Sequence, residues 1–288
     1  FTIQPLLKER GCSVKTKWYS LKLYLPFTKN IFQQYLAYRS NFFMYLLGAF
    51  MRVFCLIFLW KAIFVGSGKE ILNGFSFPVM VSYLILSTCI SECIGGSVVN
   101  LVHSEVKKGT IAMQLIKPIS YRLRLYFSSL GDSLYVFIFL MIPGFIGMII
   151  INAIYGSLSV FTPLNILFFV ISFCFSIMIN LSLSFVLGMI TFITTNMWGI
   201  LQIYQAVFRL LSGALIPLSF FPPIFEKILT YLPFSSLISA PANILLGVMN
   251  LNEICKVLII QFVWLILFFL LTNLIWKKVV HRLVVNGG

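Results

Sequence analysis

The residue types that most often carry enzyme chemistry are sparse in this chain and are poorly spaced for it. His103 and His281 have no Cys or His partners at metal-ligand spacing, and the six cysteines form no Cys-x-x-Cys pair. Cys89 and Cys93 share a helix face beside Glu92, which is compatible with a metal site and with plain apolar packing. An intramembrane enzyme stays open as an alternative, because the members of a Ser–His–Asp site need not be neighbours in sequence.

A glycine-rich segment at residues 66–69 resembles part of a phosphate-binding loop. The full pattern requires Gly at position 63 and Ser or Thr at position 70, where this chain has Ile63 and Glu70. We therefore expect no nucleotide site in this chain. If ATP drives the protein, a separate chain has to supply the ATPase.

Four of the ionisable residues in the apolar segments lie deep within them, where an unpaired charge costs a few kcal/mol or more. They are Arg52, Glu92, Asp132 and Arg209. At a rise of about 1.5 Å per residue, Arg52 and Glu92 lie about 13–15 Å deep on adjacent antiparallel helices. We expect an Arg52–Glu92 ion pair that pins two helices in register; the alternative is a cation-binding Glu92 that faces a transport pathway. Asp132, about 9 Å deep, and Arg209, about 16 Å deep, meet if their helices are neighbours.

Membrane-spanning helices have to position these residues, because the composition leaves lipid as the main solvent. Of the 288 residues, 60% are hydrophobic and 10% are charged, and the mean hydropathy is +1.01. Soluble domains are about half apolar and about a quarter charged. We therefore expect an all-α membrane protein that crosses the bilayer several times.

Six apolar stretches meet or approach the roughly 20 residues that cross the hydrocarbon core. They lie near residues 42–65, 75–101, 126–154, 164–193, 198–216 and 254–275. Pro143 is expected to kink the third, and the fifth is barely long enough. Residues 42–277 then form one six-span transmembrane domain, between an N-terminal segment at 1–41 and a tail at 278–288.

The N-terminal segment combines a basic side with an irregular apolar stripe that Pro26 interrupts. This pattern predicts amphipathic helices on the membrane surface, and a solvated basic arm is the alternative. With the six spans, fifteen Lys and Arg residues fall on the side that holds both termini, and three fall in the opposite loops. This asymmetry predicts cytoplasmic termini. The basic clusters flank apolar runs, and this position argues against a nucleic-acid partner.

The segment between the last two predicted spans, residues 217–253, is apolar but interrupted by prolines. These are Pro217, Pro222, Pro223, Pro233 and Pro241. Because one continuous helix does not accommodate them, we expect two short helices that dip into the outer side of the bilayer and return.

The connection at residues 105–119 is predicted to be a short cytoplasmic amphipathic helix. Ile111, Leu115 and Pro118 are spaced to form one face, and Leu115 and Ile116 are exposed unless a partner covers them. Such a helix fits a groove on a partner, and a loop on the lipid headgroups is the alternative. The expected contact residues are Glu105, Lys107, Lys108, Gly109, Thr110, Ile111, Gln114, Leu115, Lys117 and Pro118.

Two blocks of this sequence are similar to a known family. Residues 109–120, Gly-Thr-Ile-Ala-Met-Gln-Leu-Ile-Lys-Pro-Ile-Ser, resemble the coupling-helix region of ABC-2-type permeases, the membrane subunits of six-span ABC exporters with the type V fold. Residues 211–222, followed by 231–234 and 241–247, resemble the re-entrant outer hairpin before the last helix of that family. The closing residues 284–288 resemble a branch whose permeases often occur as two different subunits.

The resemblance implies two paired permeases, identical or paralogous, above two cytoplasmic ABC ATPases that hold ATP and Mg. Segment 105–119 is then the coupling helix that receives the ATP-driven movement, and the second and fifth spans line the pathway. We expect export of a small amphipathic or hydrophobic compound across a bacterial plasma membrane, with no cofactor bound by this chain. A polymer-lipid exporter for cell-surface glycans and an ion-gradient-driven secondary transporter are the alternatives.

Overall fold

The computed structural model describes residues 18–95, 98–155, 162–194 and 197–281, and most of these residues are helical. The first part of the predicted N-terminal segment, with Cys12, lies outside the described residues. So does the tail from residue 282 onward, with the motif at 284–288.

The helices follow one another with short connections. In chain order they are α1 (Leu25–Ala37), α2 (Arg39–Ser67), α3 (Phe77–Ile94), α4 (Val98–Lys107), α5 (Ile111–Ile116), α6 (Tyr121–Val136), α7 (Ile142–Ile154), α8 (Pro163–Met189), α9 (Trp198–Leu211), α10 (Pro223–Tyr231), α11 (Ser239–Leu245) and α12 (Leu251–His281). A 3-10 turn at Trp18–Leu23 precedes α1, and two more lie at Ile190–Phe192 and Leu218–Phe220. A β-hairpin pairs β1 (Ile71–Leu72) with β2 (Phe75–Ser76).

Within the described residues, five helical segments are long and apolar enough to cross a membrane. They are Phe43–Ser67, Phe77–Lys107, Tyr121–Ile154, Pro163–Phe192 and Leu251–Val279. These correspond to five of the six predicted spans. The fifth predicted span, 198–216, differs: its helix α9 ends at Leu211 after 14 residues. At about 1.5 Å per residue such a helix is about 21 Å long, short of the roughly 30 Å hydrocarbon core.

The third span changes its helical type just before Pro143, where the sequence predicts a kink. A π-helical turn at Phe137–Met141 separates α6 from α7, and Pro143 lies in the first turn of α7. Proline has no backbone N–H and its ring clashes with the carbonyl four residues earlier. The wider turn just before Pro143 accommodates both effects.

The second span is the centre of the bundle. In its most hydrophobic 18-residue stretch, 67% of the residues are buried. The corresponding share is 11% in the first span and 17% in the last. Met80, Tyr83, Leu84 and Ile90 on α3 are fully buried in the larger hydrophobic core. A helix that is apolar on all sides has to be surrounded by other helices or by lipid. The burial of α3 shows that other parts of the protein surround it on several sides.

The neighbouring spans α3 and α6–α7 run antiparallel. The Ser133 hydroxyl donates to the Cys93 carbonyl at 2.7 Å, and nineteen residues later Asn152 Nδ2 donates to the Ser82 hydroxyl at 2.7 Å. The residue number rises on one helix and falls on the other. This direction is the one expected for consecutive spans joined by a short connection.

The spans α8 and α12, in contrast, run parallel. Gln261 Nε2 donates to the Ser172 carbonyl at 3.3 Å, and the Thr272 hydroxyl donates to the Ser182 carbonyl at 3.5 Å. Residue numbers rise together on both helices. Because α8 and α12 point the same way, the chain between them has to return from one end of the bundle to the other.

The two ends of the bundle differ in charge. At one end, called here the basic end, α4, α5 and the start of α6 meet the last turns of α12, where Tyr121 stacks on Trp276 with ring centroids 5.2 Å apart. Lys277 and Lys278 follow directly. At the opposite end, called here the hairpin end, the β-hairpin contacts the segment before α10 through a 3.1 Å hydrogen bond from Asn73 to the Ser219 carbonyl.

Candidate functional site

The connection predicted to contact a partner lies at the basic end and contains a helix of only six residues, α5. Helix α4 ends at Lys107, and Gly109 then adopts a left-handed conformation with φ of 69° that terminates it. The next residue, Thr110, donates its hydroxyl to the Glu105 carbonyl at 3.4 Å. The turn therefore holds α5 close against the end of α4.

Helix α5 presents a different face from the one that the sequence predicts. Ile111 is 3% exposed, and Leu115 is half-buried against the core cluster formed by α4, α6 and α8. Met113, which the sequence does not single out, is 62% exposed, and Ile116 is 78% exposed, as the sequence predicts. Residues three or four apart share a helix face, so two apolar faces are present and the bundle covers the first. The free apolar surface is the pair Met113 and Ile116.

The polar residues around α5 form its exposed rim. Lys107, Lys108, Lys117 and Pro118 are exposed, and Lys117 Nζ donates to Gln114 Oε1 at 2.8 Å. An apolar patch bordered by positive charge suits a partner surface that offers an apolar groove with acidic edges.

Glu105, predicted to contact a partner, points into the bundle instead. Arg124 Nη2 donates to both of its carboxylate oxygens, at 2.7 and 2.8 Å, and the Tyr121 hydroxyl donates to it at 2.9 Å. The guanidinium of Arg124 also lies 5.1 Å from the centroid of the Tyr121 ring. Through the stack of Tyr121 on Trp276, the carboxylate of α4 is connected to α6 and α12. We call Glu105, Arg124, Tyr121 and Trp276 the brace.

The N-terminal helix α1 packs along α6 beside the brace. The Thr28 hydroxyl donates to the Phe127 carbonyl at 2.7 Å, and the Tyr24 hydroxyl accepts from the Ser120 backbone N–H at 2.8 Å. A Cβ on Gly131 would lie 2.5 Å from the Thr28 carbonyl oxygen, so only glycine permits this approach. The helix is therefore docked on the transmembrane domain.

Arg52 and Glu92 meet in the structure as an ion pair between α2 and α3. The Tyr45 hydroxyl donates to the second carboxylate oxygen of Glu92 at 2.5 Å. The Glu92 side chain is 17% exposed and that of Arg52 38%. Both oxygens of Glu92 are thus engaged by α2, which is the arrangement of a structural link.

Asp132 and Arg209 do not meet, contrary to the expectation from their depths. Asp132 lies beside Tyr35 of α1, and burial, followed by this carboxylate, raises the pKa of Tyr35. Arg209 is exposed on α9, and that helix packs toward the hairpin end, where Phe208 contacts Phe234. The expected meeting depended on the two helices being neighbours, and they are not.

Cys89 and Cys93 are buried and packed. Cys89 Sγ lies 3.7 Å from the Leu140 carbonyl oxygen, and Cys93 Sγ lies 3.7 Å from Met141 Sδ. Among the residues that the structure describes, no three His, Cys, Asp or Glu side chains are grouped to hold a metal ion. The two cysteines act here as small apolar side chains between α3 and the third span.

The segment 217–253 contains two short helices, α10 and α11. Pro217 precedes a 3-10 turn, Pro222 precedes α10 and Pro223 occupies its first turn, where the missing N–H costs nothing. Pro233 lies in the turn between the helices, and Pro241 lies near the start of α11. Each proline is therefore at a boundary or an initial turn.

The turn between α10 and α11 reaches deep into the bundle. The Ser236 carbonyl accepts hydrogen bonds from the Ser176 hydroxyl at 2.9 Å and from Gln261 Nε2 at 2.7 Å. Ser176 lies thirteen residues into α8, about 20 Å from the start of that helix at about 1.5 Å per residue. Nearby, the Tyr83 hydroxyl donates to the Gly213 carbonyl at 2.7 Å. These buried polar contacts satisfy backbone groups that irregular chain would otherwise leave unpaired.

Comparison with known proteins connects this arrangement to one family. Residues 50–287 match the sequence model of a family described as ABC-2 family transporter protein. No curated protein matches the chain. The matched region includes most of the first long apolar helix, all of the other four, the α5 connection and the proline-rich segment.

Proposed function

The chain belongs to the ABC-2 family of transporter proteins, and we propose that it is the permease subunit of an ATP-driven exporter. A permease of this family is a multi-pass membrane component that works with an ABC ATPase. The observation that carries the proposal is the exposed apolar pair Met113 and Ile116, held at the basic end on a short helix whose other face is buried.

The proposed ATPase contact is α5 with its basic rim. Exposure of two large apolar side chains to water is unfavourable in free energy. A groove on a cytoplasmic partner that buries them removes this unfavourable exposure. The brace connects the end of α4, next to α5, to α6 and α12. A displacement of α5 by the ATPase is therefore transmitted to α6 and α12. ATP and Mg belong to the partner in this scheme. The basic end then faces the cytoplasm, in agreement with the charge asymmetry of the loops.

We further propose that the chain crosses the membrane six times, with a composite fifth crossing. The parallel direction of α8 and α12 requires a return through the bilayer. Helix α9 supplies about 21 Å of it, and the connection through Gly213 with the α10–α11 segment supplies the rest. In this arrangement α10 and α11 form a re-entrant hairpin, which the deep contacts of Ser236 support.

The proposed assembly contains a second permease, identical or paralogous. Helix α9 supports a second permease, because it carries exposed apolar side chains along most of its length. Examples are Trp198, Ile203 and Val207. A pathway between two such helices suits a small amphipathic or hydrophobic compound. Glu92 is less suited to carry a cation, as a gradient-driven transporter would need, because Arg52 neutralises it. The proposed location is a bacterial plasma membrane with both termini in the cytoplasm.

Site-specific photo-crosslinking tests the proposal. A benzophenone residue replaces Met113 in one variant and Ile71, exposed at the hairpin end, in the matched control. In membranes in which each variant is co-produced with an ABC ATPase, we expect an ATPase adduct at position 113, none at position 71, and transport that vanadate inhibits. Adducts at both positions or at neither, together with vanadate-insensitive transport, would refute the exporter.

A further inference from the structure

A groove opens between α7 and α8. Its cavity has a volume of about 670 Å³. Eleven side chains line it, and the least apolar of them is the thiol of Cys174. The floor is aromatic: Phe145 contacts Phe169 edge-on at 5.8 Å, and Phe169 stacks on Phe173 at 5.7 Å.

The groove exists because α7 packs toward α3 rather than toward α8. A Cβ on Gly144 would lie 2.6 Å from Cys89 Sγ, so α7 approaches α3 as closely as a glycine allows. Asn152 continues that contact through its hydrogen bond to Ser82. The π turn at Phe137–Met141 lies at the inner end of the groove, where α7 begins to follow α3. Space is left on the α8 side.

The groove is unfavourable both when it is filled with water and when it is empty. Ordered water needs two to four polar partners, and the lining offers none beyond a thiol. An empty cavity deprives its lining of dispersion contacts on one side. The rim residues Ile149, Ile166 and Val170 are about half exposed, so the groove opens sideways into the bilayer. The occupant is therefore a hydrocarbon that enters from the membrane.

The length of the groove matches one acyl chain. It extends along α8 from Ile166, three residues after the helix begins at the hairpin end, to Ile177. Eleven residues at about 1.5 Å each span about 17 Å. One leaflet of a bilayer contributes about half of the roughly 30 Å hydrocarbon core.

We propose that this groove is a binding site for one acyl chain of a phospholipid from the leaflet at the hairpin end. Leu245 of α11 lies at the groove floor and is 2% exposed. The bound chain therefore contacts α7, α8 and α11 together, and it supports the segment that reaches into the bundle. Acyl-chain binding in the groove is independent of the direction of transport and of the partner ATPase.

Photo-labelling with a phosphatidylcholine that carries a diazirine near the end of one acyl chain tests the site. The full-length protein is reconstituted with a small fraction of this lipid, irradiated, and digested for mass spectrometry. We expect several-fold more adduct on peptides from the groove, around residues 137–149 and 166–177, than on the exposed apolar face of α2 around residues 50–58.

Two tryptophan variants separate a specific site from general lipid contact. Val170→Trp fills the groove, whereas Val263→Trp adds the same side chain at an equally exposed position on α12. We expect the first to remove the excess labelling and the second to keep it. Val170→Phe provides a smaller filling variant if the first does not fold. Uniform labelling of all apolar faces, or an excess that survives both filling variants, would overturn the proposal.

Discussion

Arg124 and Glu105 form an ion pair behind the short helix at the basic end, in which Nη2 of the arginine donates to both carboxylate oxygens, at 2.7 and 2.8 Å. The side chains are only 10% and 13% exposed. The pair connects the end of α4 to α6, and Tyr121 extends the connection to Trp276 on α12. A residue that the sequence assigned to a partner surface is thus part of the internal framework.

Removal of one partner from the Glu105–Arg124 pair leaves a buried charge without compensation. We expect Glu105→Gln to lower the free energy of unfolding by about 3 kcal/mol, because broken buried pairs cost about 3–5 kcal/mol. The double variant with Arg124→Gln is expected to lose less than the two single losses added together. Thermal unfolding in detergent measures both effects. Lys107→Gln, at an exposed neighbour, is the control and should stay within about 0.5 kcal/mol of the parent.

The outward face of α5 is expected to control ATPase contact without affecting stability. Met113→Asp places a charge on the exposed face, so we expect normal thermal unfolding and loss of the ATPase during affinity purification. Leu115→Asp places the same charge on the half-buried face and should lower the unfolding temperature. Equal behaviour of the two variants would contradict the assignment of the faces.

The Arg52–Glu92 link is expected to show coupling between its partners. Glu92→Gln leaves Arg52 without a counter-charge within the first span, where an unpaired charge costs about 3 kcal/mol or more. Arg52→Gln in the same chain should restore part of the lost stability, because no charge is then left. Unfolding midpoints of the parent, the two single variants and the double variant provide the cycle. If the double variant is as unstable as the sum of the single ones, the pair is not a structural link.

Gly131 allows the N-terminal helix to dock, and Gly147 offers a matched control. Gly131→Ala places a methyl group 2.5 Å from the Thr28 carbonyl oxygen. This oxygen belongs to the backbone of α1, so it cannot move away as the end of a flexible side chain could. Overpacking of this kind costs about 1–3 kcal/mol. We expect a lower unfolding temperature and faster proteolysis before α2. A Cβ at Gly147 meets nothing within 4 Å, so Gly147→Ala should leave both measurements unchanged.

The amino-acid sequence by itself determined the membrane character and most of the spans. Each span is a local run of about 20 apolar residues, and lipid requires such runs to be helical whatever surrounds them. Arg52 and Glu92 were also paired from sequence, because consecutive spans are antiparallel neighbours and depth then follows from residue counting. Proline positions likewise predicted the interruption at 217–253.

Only the tertiary structure decided which side chains of each helix meet. Helix α5 has two apolar faces, and periodicity cannot tell which of them the distant α6 and α8 cover. Asp132 lies beside Tyr35 and not beside Arg209, because contacts between helices remote in sequence depend on packing and not on depth. The parallel direction of α8 and α12, and the groove beside α7, likewise follow from how glycine contacts and buried hydrogen bonds arrange whole helices. Local sequence specifies each helix, whereas long-range packing specifies its neighbours.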